Sequence, residues 1–391
     1  MRLFDKAELV LRIERFANSI SKFDIDTVLI TSNMDLFYFT GSVQKGTLVI
    51  NSSGESYYFV KKNFERAKNE SALEVRPWNA DDIKEKIKGI WAVPMDVTTL
   101  AEHVFLKKKL SLSVDAADCS LPLALTKMKK SDLEIDFMRK AAKINVDVME
   151  FAKNIFRQGM TDIHIQAEIE SFAKRELGHQ GLFWVRGANM EASMGLVVTG
   201  SAALIPTYTD FPIGGEGLSP AVAQGASGKY IKDSFVVDFI GSSYGYCADS
   251  TRTFFIGRPE DKIIRIYNEL NDLLSMIVKK TVPGITGEEV YNFAMEQVDK
   301  QSWKDYFMGY HQKVKFISHG IGTEVNQLPV MAPRQKIPYE NNMCLAIEPK
   351  IFLPDYGVIG IENTYLMKNG SLESLTGCCQ DLEDFIIKRQ N

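Results

Sequence analysis

The stretch SFVVDFIGSSYGYCADSTRTFFIG (234–257) sets two aspartates inside what otherwise reads as an apolar β-hairpin. Asp238 interrupts the hydrophobic run, Gly241 to Gly245 forms a turn region, and Asp249 lies on the return strand ahead of Thr253-Phe254-Phe255. The midpoint of the two acids falls between Ser243 and Tyr244, inside that turn. Symmetric closure therefore places Asp238 and Asp249 opposite each other across the strands. A second stretch, MCLAIEPKIFLPDYGVIGIENTYLM (343–367), repeats the design: Pro354 to Gly357 is the turn, and Glu348 and Glu362 are mirrored about Asp355. Like charges facing each other on a ladder repel, and burying an unpaired carboxylate is costly. One such acid reads most simply as a bridged or solvated side chain. Two mirrored pairs within apolar strands call for a shared cation. His319, in KFISHGIGTEV, follows a short apolar run and precedes glycines. Alone it reads as a structural histidine; beside four acids, a neutral imidazole is the natural fifth ligand.

Outward from these hairpins, further strand signals at 191–199, 234–241, 246–256, 343–352 and 358–368 are interleaved with helices. Ser131 and Glu134 make a capping-box pattern that opens a long helix over about 132–156. Gly159-Met160-Thr161 and Gly284-Ile285-Thr286 are similar helix entrances and hint at two related halves. Residues 129–391 thus read as helices packed on a mostly antiparallel sheet, an α+β unit. Upstream, helix signals at 6–23, 62–70 and 81–90 alternate with TVLITS (27–32) and a hairpin at 46–60 turning at Ser52-Ser53-Gly54. Residues 1–128 therefore read as a smaller α/β domain.

With 391 residues, 45% hydrophobic and 25% charged, the chain suits a soluble protein of two domains. A net charge of −4 gives no electrostatic reason to expect nucleic acid or an anionic membrane as partner. No apolar run approaches the roughly 20 residues that span a bilayer. The start, MRLFDKAELVLRIERF, reads as an amphipathic surface helix and not as a signal peptide. Five cysteines show no CxxC spacing. Adjacent Cys378 and Cys379 read as ordinary reduced thiols more readily than as a redox pair, and the expected location is the cytoplasm.

The acids and the histidine also carry a resemblance. Asp238 with Asp249, Ala248-Asp249-Ser250-Thr251-Arg252-Thr253, Ser318-His319-Gly320-Ile321-Gly322, Ile347-Glu348-Pro349 and Ile361-Glu362-Asn363 resemble, in order and spacing, the metal-site signature of the pita-bread superfamily. That superfamily includes prolidase, aminopeptidase P, methionine aminopeptidase and creatinase. The resemblance covers about 131–391, and Asp35-Leu36-Phe37-Tyr38-Phe39-Thr40-Gly41 is similar to the N-terminal domain of the creatinase and prolidase branch. It implies a pita-bread catalytic domain, a twofold homodimer and a site for two divalent ions, Mn, Co, Fe or Zn. Asp238 would chelate one ion, Asp249 and Glu362 would bridge both, and His319 and Glu348 would complete the other. Water shared by the ions would become the hydroxide that attacks a peptide or amide carbonyl, with Glu348 as proton acceptor.

Departures from the family pattern bear on activity. The peptidases usually carry a histidine directly after the proline of a segment resembling Ser201-Ala202-Ala203-Leu204-Ile205-Pro206, where this chain has Thr207. A second histidine usually follows the metal histidine by seven residues, where this chain has Asn326. An arginine often stands two before the last glutamate, at the place of Gly360. Thr207 and Asn326 are thus the candidate substrate-facing residues beside Glu348. The leading expectation is a metal-dependent hydrolase resembling Xaa-Pro dipeptidase or aminopeptidase P, acting on a small peptide or small molecule. A non-peptidase on the same site, such as a lyase or an amide or amidine hydrolase, is the alternative, and a non-catalytic binding protein is the second. The Gly/Pro/Ser-rich segment 206–228 reads equally as a lid or as a surface loop. Trp184 and Arg186 read better as a packed and a surface residue than as an anion site.

Overall fold

The computed structural model describes residues 2–181, 183–186, 194–209, 211–377 and 380–389. The start of the strand expected at 191–199 and the Cys378–Cys379 pair lie outside the described residues. The chain divides into two compact units, Met1–Lys127 with Arg186–Asn189, and Met128–Val185 with Met190–Asn391.

The first unit is built on a six-stranded sheet. In chain order its elements are α1 (Lys6–Ser21), β1 (Thr27–Ile30), α2 (Asn33–Thr40), β2 (Gly46–Asn51), β3 (Ser56–Val60), α3 (Phe64–Glu70), β4 (Val75–Pro77), α4 (Ala80–Lys86), β5 (Trp91–Val93), α5 (Leu100–Lys109), β6 (Ala117–Asp118) and α6 (Ser120–Met128). The strand order is β4-β3-β2-β1-β5-β6. Side chains alternate across the pleat. Val28, Ile30, Leu48 and Ile50 pack on one face against Ile13, Phe16 and Ile20 of α1. Leu29 and Val49 pack on the other against Ile83 and Leu106. That two-sided burial is why Val28, Leu29 and Ile30 of β1 are all apolar.

The second unit follows with α7 (Asp132–Ile155), α8 (Asp162–Arg175), β7 (Gly195–Thr199), β8 (Ser234–Ser243), β9 (Tyr246–Ile256), α9 (Asp261–Lys280), α10 (Gly287–Val298), β10 (Ser318–Gly320), β11 (Gln327–Met331), β12 (Cys344–Ile347), β13 (Lys350–Leu353), β14 (Gly357–Gly360), β15 (Asn363–Lys368), β16 (Ser371–Ser374) and β17 (Ile386–Ile387). One sheet has the order β17-β9-β8-β7, another β11-β10-β12-β15-β16, and β13-β14 is a separate ribbon. Ser131 caps α7 through a reciprocal capping box with Glu134. Thr161 and Thr286 cap α8 and α10. Helix α7 lies against the β8–β9 hairpin. The buried Asn145 amide donates to the carbonyls of Phe239 and Ala248 and to Ser250 Oγ at 3.0–3.1 Å. Gly241 permits this approach, since a Cβ there would stand 2.2 Å from the Ala141 carbonyl oxygen.

The first hairpin closes one residue later than symmetric closure about the acids requires. Asp238 pairs with Thr251, and Asp249 with Ile240. The aspartates are therefore diagonal neighbours and not directly opposed. The shift is two positions, so both stay on one face of the sheet. The second hairpin does close about Asp355, with Lys350 facing Gly360 and Ile347 facing Asn363. Its strands are nevertheless broken in the middle, at Glu348-Pro349 and Ile361-Glu362. Pro349 has no N–H to give a ladder. The glutamate amides turn to other partners, Glu348 to the Ile317 carbonyl and Glu362 to the Thr251 carbonyl. No helix among the described residues is long and apolar enough to cross a membrane.

Candidate metal centre

The four acids and the histidine all line one cavity of about 350 Å³ in the second unit. Each is held by its element. Asp249 is pinned at the backbone: its N–H donates to Thr364 Oγ1 at 2.8 Å, and its carbonyl accepts from that hydroxyl at 2.9 Å. The buried Arg252 guanidinium donates to the Glu362 carbonyl at 2.6 Å and to Asn363 Oδ1 at 2.7 Å, clamping the broken strand beside β9. Thr251, across from Asp238, donates its hydroxyl to Glu362 Oε2 at 2.5 Å. His319 Nδ1 lies 3.1 Å from the Gly320 carbonyl oxygen. A carbonyl only accepts, so Nδ1 carries the proton and Nε2 presents a lone pair to the site. That Nε2 is 3.6 Å from Glu348 Oε1 and 3.9 Å from Glu362 Oε1.

The electrostatics are those of crowded anions. Burial raises the Asp238 carboxyl to about 6, with Lys350 opposing and Glu362 reinforcing the rise. Burial, then the neighbouring Glu362 and Asp238, pushes Asp249 well above the carboxylate range. Glu348 is raised too, chiefly by burial and against the pull of Lys350. Burial lowers the His319 imidazole, which favours the neutral, ligating form.

The donor set suits a divalent cation. Oxygen or nitrogen atoms of Asp249, His319 and Glu362 all lie within 4.8 Å of one another. Asp249 Oδ1 and Glu362 Oε1 are buried and have no hydrogen-bond partner among the described residues. Buried carboxylate oxygens without a hydrogen-bond partner, beside a neutral imidazole, make a donor set whose chemistry fits a divalent cation.

Thr207 and Asn326 are half-buried, and neither side chain lines the cavity. Thr207 Oγ1 instead faces the Ala223 carbonyl at 3.5 Å. Their neighbours Tyr208 and Val325 do line it. Described residues of the 206–228 segment line part of the cavity, among them Tyr208, Phe211, Pro212, Val222 and Gln224. Arg186 is no free surface residue: it pairs with Asp35 and Asp96 of the first unit.

Reading the sequence for acids missed Lys350. Its side chain is fully buried, and its ammonium contacts Glu348 Oε2, Glu362 Oε2 at 3.0 Å and Asp238 Oδ2 at 3.7 Å. Burial opposes its charge, yet the three carboxylates outweigh that and hold the lysine above its usual range. The signal was present: Lys350 stands two residues from Glu348 in an apolar run, the spacing that keeps side chains of an extended chain on one face.

A statistical model of metallopeptidase family M24 matches residues 136–369, and a creatinase/prolidase N-terminal domain matches residues 12–124. The chain belongs to metallopeptidase family M24. An Xaa-Pro dipeptidase of Pyrococcus furiosus is 24% identical to this M24 chain over 93% of its length and 97% of the relative's. Among solved structures, the prolidase of Pyrococcus horikoshii superposes with a TM-score of 0.78 at 23% identity, covering 95% of this chain and 99% of that one. Dipeptidase PepE of Mycobacterium ulcerans superposes with a TM-score of 0.80 at 22% identity, covering 99% and 100%. The fold is the pita-bread fold with an N-terminal α/β domain.

Proposed function

We propose that this M24 chain is a divalent-metal-dependent hydrolase of small peptides or amides, its ion held by Asp249, His319 and Glu362 with Glu348 alongside. The observation that carries the reading is the pair of orphaned oxygens, Asp249 Oδ1 and Glu362 Oε1, beside the His319 lone pair. A divalent ion held there would supply Lewis acidity at a substrate carbonyl and acidify water toward neutral pH. The protein's own residues would do the rest. Glu348 would accept the proton that water gives up and return it to the leaving amine. Leu196, Ile240, Val325 and Phe211 would bind the apolar parts of a substrate and exclude bulk water.

The names of the relatives point to Xaa-Pro dipeptides as the first substrates to try. A second reading, a small amide or other non-peptide substrate, is favoured by one observation. Among the described lining residues there is no lysine or arginine to meet the free carboxylate of a dipeptide. Apart from the acids and His319, no described lining residue can carry a proton near neutral pH. With neither that help nor a cation for the carboxylate, cleavage of Xaa-Pro dipeptides should be about a hundredfold or more below that of a prolidase. The test is chelator-stripped protein reloaded with Mn(II) or Co(II) and assayed against Xaa-Pro dipeptides, longer Xaa-Pro peptides and small amides. We expect turnover that requires the metal, slow on dipeptides. Absence of metal-dependent turnover on the whole panel contradicts the hydrolase reading. A twofold homodimer belongs to the same proposal, and light scattering that gives only the 44.0 kDa chain would contradict it.

A further inference from the structure

The donor set resembles that of a two-metal centre, but one side of it already holds a positive charge. Lys350 follows Glu348-Pro349 and enters β13 directly opposite Gly360. Its stem runs over that glycine: a Cβ at Gly360 would stand 3.1 Å from Lys350 Cγ and 3.2 Å from Thr251 Cγ2. Any larger residue at 360 would press on this path. The lysine and the glycine are thus one arrangement, in which the absent side chain of one makes the channel for the other. At the end of the channel the ammonium lies among Asp238 Oδ2, Glu348 Oε2 and Glu362 Oε2, with no exposed surface. These oxygens form the Asp238 side of the cluster. Asp249 Oδ1 and Glu362 Oε1, which have no partner among the described residues, lie on the His319 side.

We propose that the Lys350 ammonium permanently takes the place of one of two metal ions, so that this site holds a single divalent ion on the His319 side. The proposal rests on the metal-binding reading above and deepens it. An ammonium and a divalent ion together nearly balance the four carboxylates, and a second ion beside Lys350 would bring cation against cation at short range. An ammonium offers hydrogen bonds and charge, but no open coordination position for a substrate. The site would therefore keep one Lewis acid, and Lys350 would be a positioning residue that orients Asp238, Glu348 and Glu362.

The test is metal stoichiometry. Chelator-stripped wild type and Lys350→Ala are dialysed against Mn(II), the bound manganese is counted by elemental analysis, and its electron paramagnetic resonance spectrum is recorded. Wild type should bind one ion per chain with an isolated Mn(II) signal. Lys350→Ala should bind two, with the signal of an exchange-coupled pair. Metal should also raise the melting temperature of Lys350→Ala more than that of wild type, because the variant loses its internal cation. Two ions in wild type, or one in a folded Lys350→Ala, overturn the proposal. If circular dichroism shows the variant unfolded, the wild-type count decides alone, one ion supporting and two overturning. No ion in either protein would sink the metal-binding reading itself, an outcome distinct from two.

Discussion

Arg252 shows how far the site depends on residues that never reach the cavity. Its guanidinium is fully buried and joins the Thr251 carbonyl, the Glu362 carbonyl and Asn363 Oδ1. Arg252→Met keeps the volume but strands those acceptors, each worth about 1–3 kcal/mol when left unsatisfied. We expect a clear fall in the urea midpoint and metal binding weakened by roughly tenfold or more, since supports of this kind hold ligands in place. Unchanged binding in the variant would show that Glu362 does not need the clamp. That the four acids and His319 share one cavity was legible because acids inside apolar strands are costly without a cation. Lys350 left only a weak signal, its spacing of two from Glu348, because a lysine in a strand ordinarily points to solvent. Only the closing of β13 on β14 shows that this one is sealed against Gly360. Thr207 and Asn326 stand where the resembled family usually carries histidines. The backbone sets their side chains off the cavity wall, and Tyr208 and Val325 face it instead.

Among the elements, the β8–β9 hairpin and α7 behind it decide where the two aspartates stand. Gly241 is the point of closest approach, and Gly241→Ala would drive a methyl into the Ala141 carbonyl at 2.2 Å and into Asn145 Oδ1. A backbone oxygen cannot rotate away, so the helix must lift. Overpacking of this kind costs about 1–3 kcal/mol or more, and a melting temperature equal to wild type would contradict the packing described. At the start of the same helix, Ser131→Ala removes half of the capping box and should cost about 1 kcal/mol in denaturant titration. That cap was readable because both halves are local, three residues apart. Hairpin register was only partly readable. The mirror position of Glu348 and Glu362 follows from a tight Pro-Asp-Tyr-Gly turn, whereas the glycines and serines of 241–245 allow closure at either of two centres. Alternation survives a two-residue slip, so the face of Asp238 and Asp249 was correct although their partners were not. The break of the second hairpin into two sheets depends on contacts with β9 and β10, and no local pattern announces it.

On the scale of the whole molecule, each unit has its own buried ionic centre. In the first, Asp35 sits at the start of α2, fully buried, with Lys127 at 3.1 Å and Arg186 at 3.1 Å. Burial alone would raise its carboxyl, but the two cations outweigh burial and hold it below the ordinary range. A carboxyl depressed in the folded state adds stability above its unfolded pKa of about 4 and loses it as the pH falls further. The first unit should therefore lose stability below about pH 4, and Asp35→Asn should flatten that dependence while costing about 3–5 kcal/mol near neutrality. Equal acid sensitivity in both proteins, followed by circular dichroism, would contradict this account. In the second unit the buried centre is an excess of carboxylates, and the central claim is that a divalent ion completes it through Asp249, His319 and Glu362. The most direct measurement is isothermal titration of Mn(II) into chelator-stripped wild type and Asp249→Asn, with folding of both checked by circular dichroism. The account predicts saturable binding to wild type and its loss, or weakening by a hundredfold or more, in the folded variant; no binding to wild type, or equal binding to both, would contradict it.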